Sequence, residues 1–323
     1  MSTHSKLTIG ALHFGVMLNQ AEAKGIIDFA KDNGVAFIDT GPLYGNGNSE
    51  LIVGNCIKGQ REKFHLSTKV GLQKVNRADG SFGVGVIDLT PNNIKKSLEN
   101  SLKNLQTDYI DLFYLHAFCE SVPLVETFGA LSDLVEEGKI KNIGVSNYNP
   151  EQLEKVLSTI KDNNFKKISC IEAHYNMIER MVENQLVPLC EIADVKIMPY
   201  RALGRGLLSD KYLNGIPADS RAASSWRVKR YLNDDFLMML RSLNNLALDF
   251  QTTLASLSLQ WVLNKKTVSN VLIGVRDVNS LEECISATFT KLSQELEEEI
   301  DKRIVAHSLM PWVQSNPEVY FEK

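Results

Sequence analysis

The sequence lacks several features that would assign it to common classes of protein. Five scattered cysteines (Cys56, Cys119, Cys170, Cys190 and Cys284) form no C-x-x-C pair, which favours reduced thiols over a disulfide framework or a zinc site. No apolar stretch approaches the roughly 20 residues that span a bilayer. The N-terminus shows no basic region followed by an apolar run, so we expect a cytoplasmic protein. A formal charge of −4 gives no overall indication of a nucleic-acid or membrane partner.

Common catalytic and nucleotide-binding signatures are also missing. G-x-G occurs at 45–47, 83–85 and 204–206, but Glu50, Asp88 and Ser209 stand where the dinucleotide fingerprint needs a third glycine. The chain has no G-x-S-x-G nucleophile elbow and no H-E-x-x-H zinc helix. A nucleotide, if one binds, is therefore held by an architecture other than a Rossmann fold.

What the sequence has is an alternation of short apolar runs with segments of helical period. The runs are "ALHFGV", "VAFID", "FHLSTKV", "YIDLFYL", "NIGVSN", "ISCIEAHY", "KIMPYRAL" and "NVLIGV". Short, almost wholly apolar runs are typical of buried parallel strands. Eight of them in 323 residues predict a single (β/α)₈ TIM barrel over residues 1–323, with a C-terminal tail at about 305–323. An open doubly wound sheet is the alternative.

The segments between the runs carry helix start and stop signals. Thr90 is expected to cap a helix that begins at Pro91, and Asn149 to cap the helix that follows it. Gly34 and Gly138 are expected to end two other helices. Two connections, 72–90 and 209–236, are much longer than the usual few residues. Both leave strand C-terminal ends, so they are candidate lids or substrate walls, with surface insertions as the alternative.

Polar residues repeatedly end the predicted strands, at the edge where barrels place their active sites. Asp39 ends the second run, Tyr44 lies in the glycine-rich turn beyond it, Lys69 ends the third run and His116 the fourth. Each residue alone has an ordinary structural explanation, such as a turn, an ion pair at the rim or a buried histidine. Four of them at successive strand ends favour a shared chemical site.

These four residues together suit a general acid. A phenol has a pKa near 10, and a neighbouring ammonium could lower it by roughly 1–3 units. Lys69 would supply that ammonium, held by Asp39, while His116 would donate a hydrogen bond to a substrate oxygen. The set predicts proton donation to a carbonyl that becomes an alkoxide. Such a reduction needs an electron donor that no side chain provides, which implies a reducing cofactor.

At these residues the sequence resembles the aldo-keto reductase superfamily over roughly residues 7–300. The motifs that carry the resemblance are "FIDTGPLYGNGNSE", "STKVG", "TDYIDLFYLH", "GKIKNIGVSN", "HYN" and "GLLSDKY". The resemblance implies a TIM barrel that binds NADPH, less often NADH, across the strand C-terminal ends. It places the family's catalytic tetrad at Asp39, Tyr44, Lys69 and His116.

The resemblance also implies cofactor contacts, with departures from the family pattern. Glu172 stands where the family has a glutamine, Arg201 where it has a serine, and Cys284 where it has an asparagine. Arg276 would hold the extra phosphate of NADP. The implied cofactor-binding residues are Ser146, Asn147, Glu172, Tyr200, Arg201, Leu203, Arg205, Gly274, Arg276, Ser280 and Cys284. No metal site is expected.

The substrate side is less defined by the sequence. Ala117 follows the histidine where the family often has a bulky aromatic, which suggests a roomy pocket. A basic loop containing Arg221, Arg227, Lys229 and Arg230 near Trp226 suggests an anionic substrate such as a sugar phosphate or nucleotide sugar. A solvated charged face is the alternative.

The sequence thus predicts an NAD(P)-dependent oxidoreductase that interconverts an alcohol with an aldehyde, ketone or keto-sugar. One alternative is a cofactor-binding regulatory subunit resembling the β subunits of voltage-gated potassium channels. Another is a barrel lyase that forms a Schiff base on Lys69. The oligomeric state is left open.

Overall fold

The computed structural model describes residues 5–76, 82–218 and 220–304. These residues form ten strands: β1 (Leu7–Gly10), β2 (Phe37–Asp39), β3 (His65–Val70), β4 (Leu72–Asn76), β5 (Phe82–Val86), β6 (Leu112–Leu115), β7 (Ile143–Ser146), β8 (Ile168–His174), β9 (Lys196–Tyr200) and β10 (Val271–Ile273). Eight of them form one parallel sheet in the order β10-β1-β2-β3-β6-β7-β8-β9.

The sheet is rolled into a nearly closed barrel, which confirms the predicted TIM barrel and excludes an open doubly wound sheet. Closure occurs between β9 and the residues just before β10. There the Ile197 N–H donates to the Thr267 carbonyl (2.9 Å), and the Ser269 N–H donates to the Ile197 carbonyl (3.1 Å). The C-terminal ends of the eight parallel strands therefore face one mouth of the barrel.

Helices alternate with the barrel strands along the chain. The α-helices are α1 (Gln20–Asp32), α2 (Ser49–Ile57), α3 (Pro91–Leu105), α4 (Leu124–Glu136), α5 (Pro150–Asp162), α6 (Leu186–Ala193), α7 (Arg221–Ser224), α8 (Trp226–Lys229), α9 (Asp234–Asp249), α10 (Leu254–Leu263), α11 (Val278–Ala287) and α12 (Gln294–Arg303). Within the described residues, no helix is both long enough and apolar enough to cross a membrane.

The predicted helix signals are confirmed. Thr90 accepts a hydrogen bond from the Asn93 N–H (3.3 Å) at the start of α3. Asn149 and Gln152 exchange bonds of 2.8 and 3.0 Å in a capping box at the start of α5. Gly34 and Gly138, with φ of 77° and 72°, follow α1 and α4 in the left-handed conformation that glycine adopts without strain.

The prediction for the first strand was wrong. "ALHFGV" was expected to be a strand, but β1 is the preceding segment Leu7–Gly10, which pairs with both β2 and β10. Residues Ala11–His13 form a single helical turn, and Gly15 has a φ of 93°. Phe14 and Leu18 are buried in the core, so the apolar residues of this segment pack a compact loop at the barrel mouth onto the core.

The two long connections contain structure of their own. The first contains the antiparallel hairpin β4–β5, and residues 77–81 lie outside the described residues. The second contains the short helices α7 and α8, and residue 219 lies outside. The expected C-terminal tail, 305–323, also falls outside the described residues. The five cysteines are buried free thiols.

Inside the barrel, a packed layer lies directly beneath the mouth. Tyr114, Cys170 and Met198 form a buried cluster, with the Tyr114 hydroxyl 3.1 Å from the Cys170 sulfur. Gly144 makes room for this ring, because a Cβ at that position would lie 2.5 Å from the Tyr114 Cε1 atom. The side-chain period of two along each strand then places Glu172 one layer above Cys170, at the mouth.

Candidate active site

Tyr44 is carried by a tight loop between β2 and α2. Thr40 and Ser49 close this loop through hydroxyl groups 2.8 Å apart, and Ser49 donates to the Ala11 carbonyl at 2.7 Å. Gly45 has a φ of 58°, and a Cβ there would lie 1.7 Å from the Phe14 carbonyl oxygen. The glycine-rich turn therefore brings the chain against the loop that follows β1, and Tyr44 is buried there.

Lys69 lies at the centre of a buried ionic network. Its ammonium contacts Asp39 Oδ1 and lies 3.1 Å from Glu172 Oε1, and all three side chains are buried. Ser67, two residues earlier on β3, donates to Asp39 Oδ1 at 2.7 Å. Burial alone would lower the pKa of Lys69, but Asp39 and Glu172 outweigh it and raise the pKa. This raised pKa favours the charged form of Lys69 at neutral pH.

Tyr44 and His116 lie next to this network. The Lys69 nitrogen is 5.2 Å from the Tyr44 ring centroid, and the Tyr44 and His116 rings meet edge to face with centroids 6.0 Å apart. Burial, assisted by the charge of Lys69, holds the pKa of His116 well below its usual value. The imidazole is therefore neutral and has one N–H to donate.

The predicted direction of the Tyr44 pKa shift was wrong. Lys69 was expected to lower it, but burial of the phenol raises the pKa above its usual value, and Lys69 only partly opposes this. The carboxylates of Asp39 and Glu172 add to the rise. Lys69 has two anionic partners, so its charge is already compensated where it would otherwise stabilise a phenolate.

Ser146, Asn147, Glu172 and Tyr200 form one hydrogen-bonded chain at the mouth. Tyr200 donates to Asn147 Oδ1 (2.7 Å), Asn147 donates to Ser146 Oγ (3.0 Å), and Ser146 donates to Glu172 Oε2 (2.9 Å). Asn147 also donates to the His116 carbonyl at 3.0 Å. Four predicted cofactor-binding residues are thus brought together, and Glu172 joins them to Lys69.

The loop after β9 has an unusual backbone. Arg201, Gly204, Arg205 and Gly206 all have positive φ, at 59°, 54°, 61° and 90°. The Arg201 guanidinium lies over the Tyr200 ring, 5.3 Å from its centroid. Leu203 lies in the same loop and is half-buried. Two arginines in a conformation that non-glycine residues rarely adopt indicate a loop whose shape is fixed by its surroundings.

The residues expected to face the adenosine end lie around the start of α11. Gly274 and Arg276 are exposed. The Ser280 hydroxyl donates to the Asp277 carbonyl (2.8 Å) as part of the helix cap. Cys284 is buried in the hydrophobic core, where burial raises the pKa of its thiol to about 12. Cys284 therefore offers only a neutral thiol where the family pattern has an amide.

Several residues that organise the site were not predicted. Ser67 holds Asp39, and its position two residues before Lys69 was a usable signal because strand side chains alternate between faces. Asn176 donates to the Arg201 carbonyl (3.1 Å) and to Glu179 (2.9 Å), and Glu179 pairs with His174 at 2.5 Å. Asn176 and Glu179 lie in an irregular loop, where spacing gives no indication of which side chains meet.

The fold and the site together define the class of protein, a barrel with a buried network of ionisable side chains at its C-terminal mouth. The model of the "Aldo/keto reductase family" matches residues 6–304. The chain therefore belongs to the aldo/keto reductase family and is an NAD(P)H-dependent oxidoreductase that interconverts carbonyl and alcohol groups.

Named relatives agree with this assignment. The chain is 31% identical to the L-glyceraldehyde 3-phosphate reductase of Escherichia coli K12 over 327 residues, covering 96% of this chain and 92% of that protein. It is 31% identical to the NADH-specific methylglyoxal reductase of the same strain, covering 80% of each chain. A glycerol dehydrogenase from Gluconobacter oxydans has a similar structure, with a TM-score of 0.83 and 27% identity over 96% of this chain and 94% of that one.

Proposed function

We propose that this protein reduces a small aldehyde or ketone with NADPH, and that Tyr44 donates the proton. The observation that carries this proposal is the buried Asp39–Lys69 pair beside Tyr44 and a neutral His116, at the mouth of the barrel. These four side chains come from or directly follow three neighbouring strands, β2, β3 and β6. They converge only because the barrel aligns its strand ends.

Each of these side chains has a defined part in the reaction. Lys69 stays charged and, held by Asp39, fixes the electrostatics around the phenol. Tyr44 stays protonated until oxygen in the substrate begins to accept charge, and then transfers its proton to that oxygen. His116 donates an N–H to the same oxygen and, being neutral, does not compete with Tyr44 as an acid. A reduced nicotinamide, when bound, would supply the hydride that the carbonyl carbon accepts.

The mouth also has groups that suit a nicotinamide cofactor. Glu172 Oε1 is buried against the Lys69 ammonium at 3.1 Å, and a carboxylate oxygen has a second lone pair that suits a carboxamide N–H. Ser146 and Asn147 lie beside it, and Tyr200 provides an aromatic ring for stacking. The loop at 201–206 carries Arg201 and Arg205, whose guanidinium groups suit a phosphate.

The cofactor preference and the substrate charge are further parts of the proposal. Arg276 is exposed just before the N-terminal cap of α11, a position from which it is able to bind the extra phosphate of NADPH. One named relative, in contrast, is NADH-specific. Arg230 lies over the Trp226 ring and donates to the Tyr231 hydroxyl at 3.1 Å. The Arg227 side chain lies outside the described residues. We infer a carbonyl substrate that carries a phosphate, as the name of the glyceraldehyde phosphate reductase states for that relative.

Initial rates of NADPH and NADH oxidation with glyceraldehyde 3-phosphate and with glyceraldehyde test these statements. We expect turnover with both aldehydes, faster with NADPH, and a lower KM for the phosphorylated one. Arg230→Ala should raise the KM of the phosphorylated aldehyde by about 5-fold or more and leave that of glyceraldehyde unchanged, since a lost charge contact of about 1 kcal/mol affects only the anion. An equal effect on both aldehydes would contradict the anionic substrate.

The alternatives predict different results. A regulatory subunit would bind NADPH tightly and show negligible multiple turnover with any of these aldehydes. A Schiff-base lyase needs a neutral lysine amine, whereas Asp39 and Glu172 raise the pKa of Lys69. Borohydride should therefore trap no substrate on this side chain.

A further inference from the structure

Two carboxylates share a single buried ammonium in this site. Asp39 Oδ1 contacts Lys69 Nζ from β2, and Glu172 Oε1 approaches the same nitrogen to 3.1 Å from β8. Lys69 and Asp39 are fully buried, and Glu172 is 3% exposed. One positive charge compensates one of the two negative charges, so the network carries a net charge of −1 when both carboxylates are ionised.

The other titratable groups around the network remain neutral near pH 7. Tyr44 and Tyr114 have raised pKa values because they are buried, and burial lowers the pKa of His116. Burial raises the pKa of Cys170, on β8 next to Tyr114, to about 12. Burial raises the pKa of Glu172 itself to about 7, with Lys69 opposing the rise and Asp39 adding to it. Glu172 is thus the member of this group whose charge changes near neutrality.

We propose that Glu172 is a positioning residue that keeps Tyr44 in its phenol form and so favours carbonyl reduction over alcohol oxidation. It acts through Lys69: when ionised, Glu172 takes up part of the positive charge that would otherwise stabilise a Tyr44 phenolate. Reduction needs the phenol as acid, and oxidation needs the phenolate as base. This inference rests on the proposed role of Tyr44 as the proton donor.

The hydrogen bond from Ser146 gives Glu172 a fixed position for this effect. Ser146 Oγ donates to Oε2 at 2.9 Å, which leaves Oε1 facing Lys69. A glutamine at this position, as in the family pattern, keeps an oxygen to accept from Ser146 but brings no negative charge. Glu172→Gln therefore removes the charge while preserving the shape of the side chain.

The test is the pH dependence of both directions of the reaction at saturating cofactor, for the wild type and Glu172→Gln. A unit charge about 6–12 Å from a titrating group, in a medium of effective dielectric about 20, shifts the pKa of that group by about 1–2 units. We expect the alkaline loss of reduction and the alkaline gain of oxidation to move to lower pH by that amount. Oxidation at pH 9 should rise by about 10-fold. Unmoved inflections would overturn the proposal.

A matched control is Glu50→Gln, the same chemical change at another buried carboxylate. Glu50 is 1% exposed and is bonded by Thr68 (2.6 Å) and Asn104 (3.0 Å). Replacing Glu50 by glutamine should leave the pH inflections of both reaction directions in place. A pH shift as large as that of Glu172→Gln would show that any buried carboxylate has this effect, and it would refute the specific role of Glu172.

Infrared titration of the free protein gives a second readout that does not depend on activity. The wild type should show a protonated carboxyl band that disappears as the pH rises through about 7, and Glu172→Gln should lack it. A band that persists well above neutral pH would contradict the proposal, because a protonated Glu172 carries no charge to compensate Lys69. If the rate inflections persist in Tyr44→Phe, the proposed function fails. If they vanish there but do not move in Glu172→Gln, only the role of Glu172 fails.

Discussion

Replacing Gly45 by alanine should disrupt the loop that carries Tyr44. A Cβ at Gly45 would lie 1.7 Å from the Phe14 carbonyl oxygen, far inside van der Waals contact, and the residue has a φ of 58°. The left-handed conformation costs alanine about 1–2 kcal/mol. Separating the two backbones adds an overpacking cost of about 1–3 kcal/mol. The free energy of unfolding should therefore fall by about 2–5 kcal/mol.

The same substitution should also affect catalysis, because Tyr44 is the neighbouring residue. A displacement of about 1 Å in a catalytic group lowers the rate by about 100-fold. Urea unfolding and the kcat/KM for aldehyde reduction measure the two effects. The control is Gly47→Ala, which has a φ of 95° but whose Cβ would lie 3.8 Å from its nearest neighbour, the Pro42 carbonyl oxygen. Equal losses in the two variants would refute the importance of the Phe14 contact.

Two further predictions concern buried charges. In urea titrations at pH 8, Lys69→Met should lower the free energy of unfolding by about 3–5 kcal/mol, because Asp39 and Glu172 then share a buried site without a cation. Adding Glu172→Gln to this variant should recover part of the loss. Asp111 bonds Arg61 at 2.7 Å and Lys141 at 2.9 Å, and although burial opposes ionisation, these cations and a backbone N–H lower its pKa. Asp111→Asn should cost about 2–3 kcal/mol at pH 7. A carboxyl whose pKa is lowered in the folded protein stabilises the fold at pH values above its unfolded pKa of about 3.9. The stability difference between Asp111→Asn and the wild type should therefore shrink as the pH falls below about 4. A stability difference that does not depend on pH would contradict the role of Asp111 as an ionised partner of the two cations.

The fold could be predicted from the sequence because its signals are local and repeated. Capping at Thr90 and Asn149 and the glycines after α1 and α4 are properties of single segments. The first strand was misplaced because an apolar run predicts burial but does not distinguish a strand from a compact loop. Phe14 and Leu18 are buried as expected, yet the barrel hydrogen bonds are made by Leu7–Gly10.

The site could be predicted in its parts but not in its electrostatics. Strand ends converge in a barrel, so Asp39, Lys69 and Glu172 could be expected at one mouth from their positions alone. The direction of the Tyr44 pKa depends on how deeply the phenol is buried and on which carboxylates reach Lys69. Both properties depend on residues that are distant in sequence, so the spacing of residues along the chain does not reveal them.

The most direct test of the central claim is the rate of NADPH-dependent aldehyde reduction by Tyr44→Phe, measured together with NADPH affinity by fluorescence titration. Removing one hydroxyl preserves most of the packing against His116 and Lys69. If Tyr44 is the proton donor, kcat should fall by at least about 100-fold while the Kd for NADPH changes little. A kcat close to that of the wild type, with NADPH still bound, would contradict the proposed mechanism.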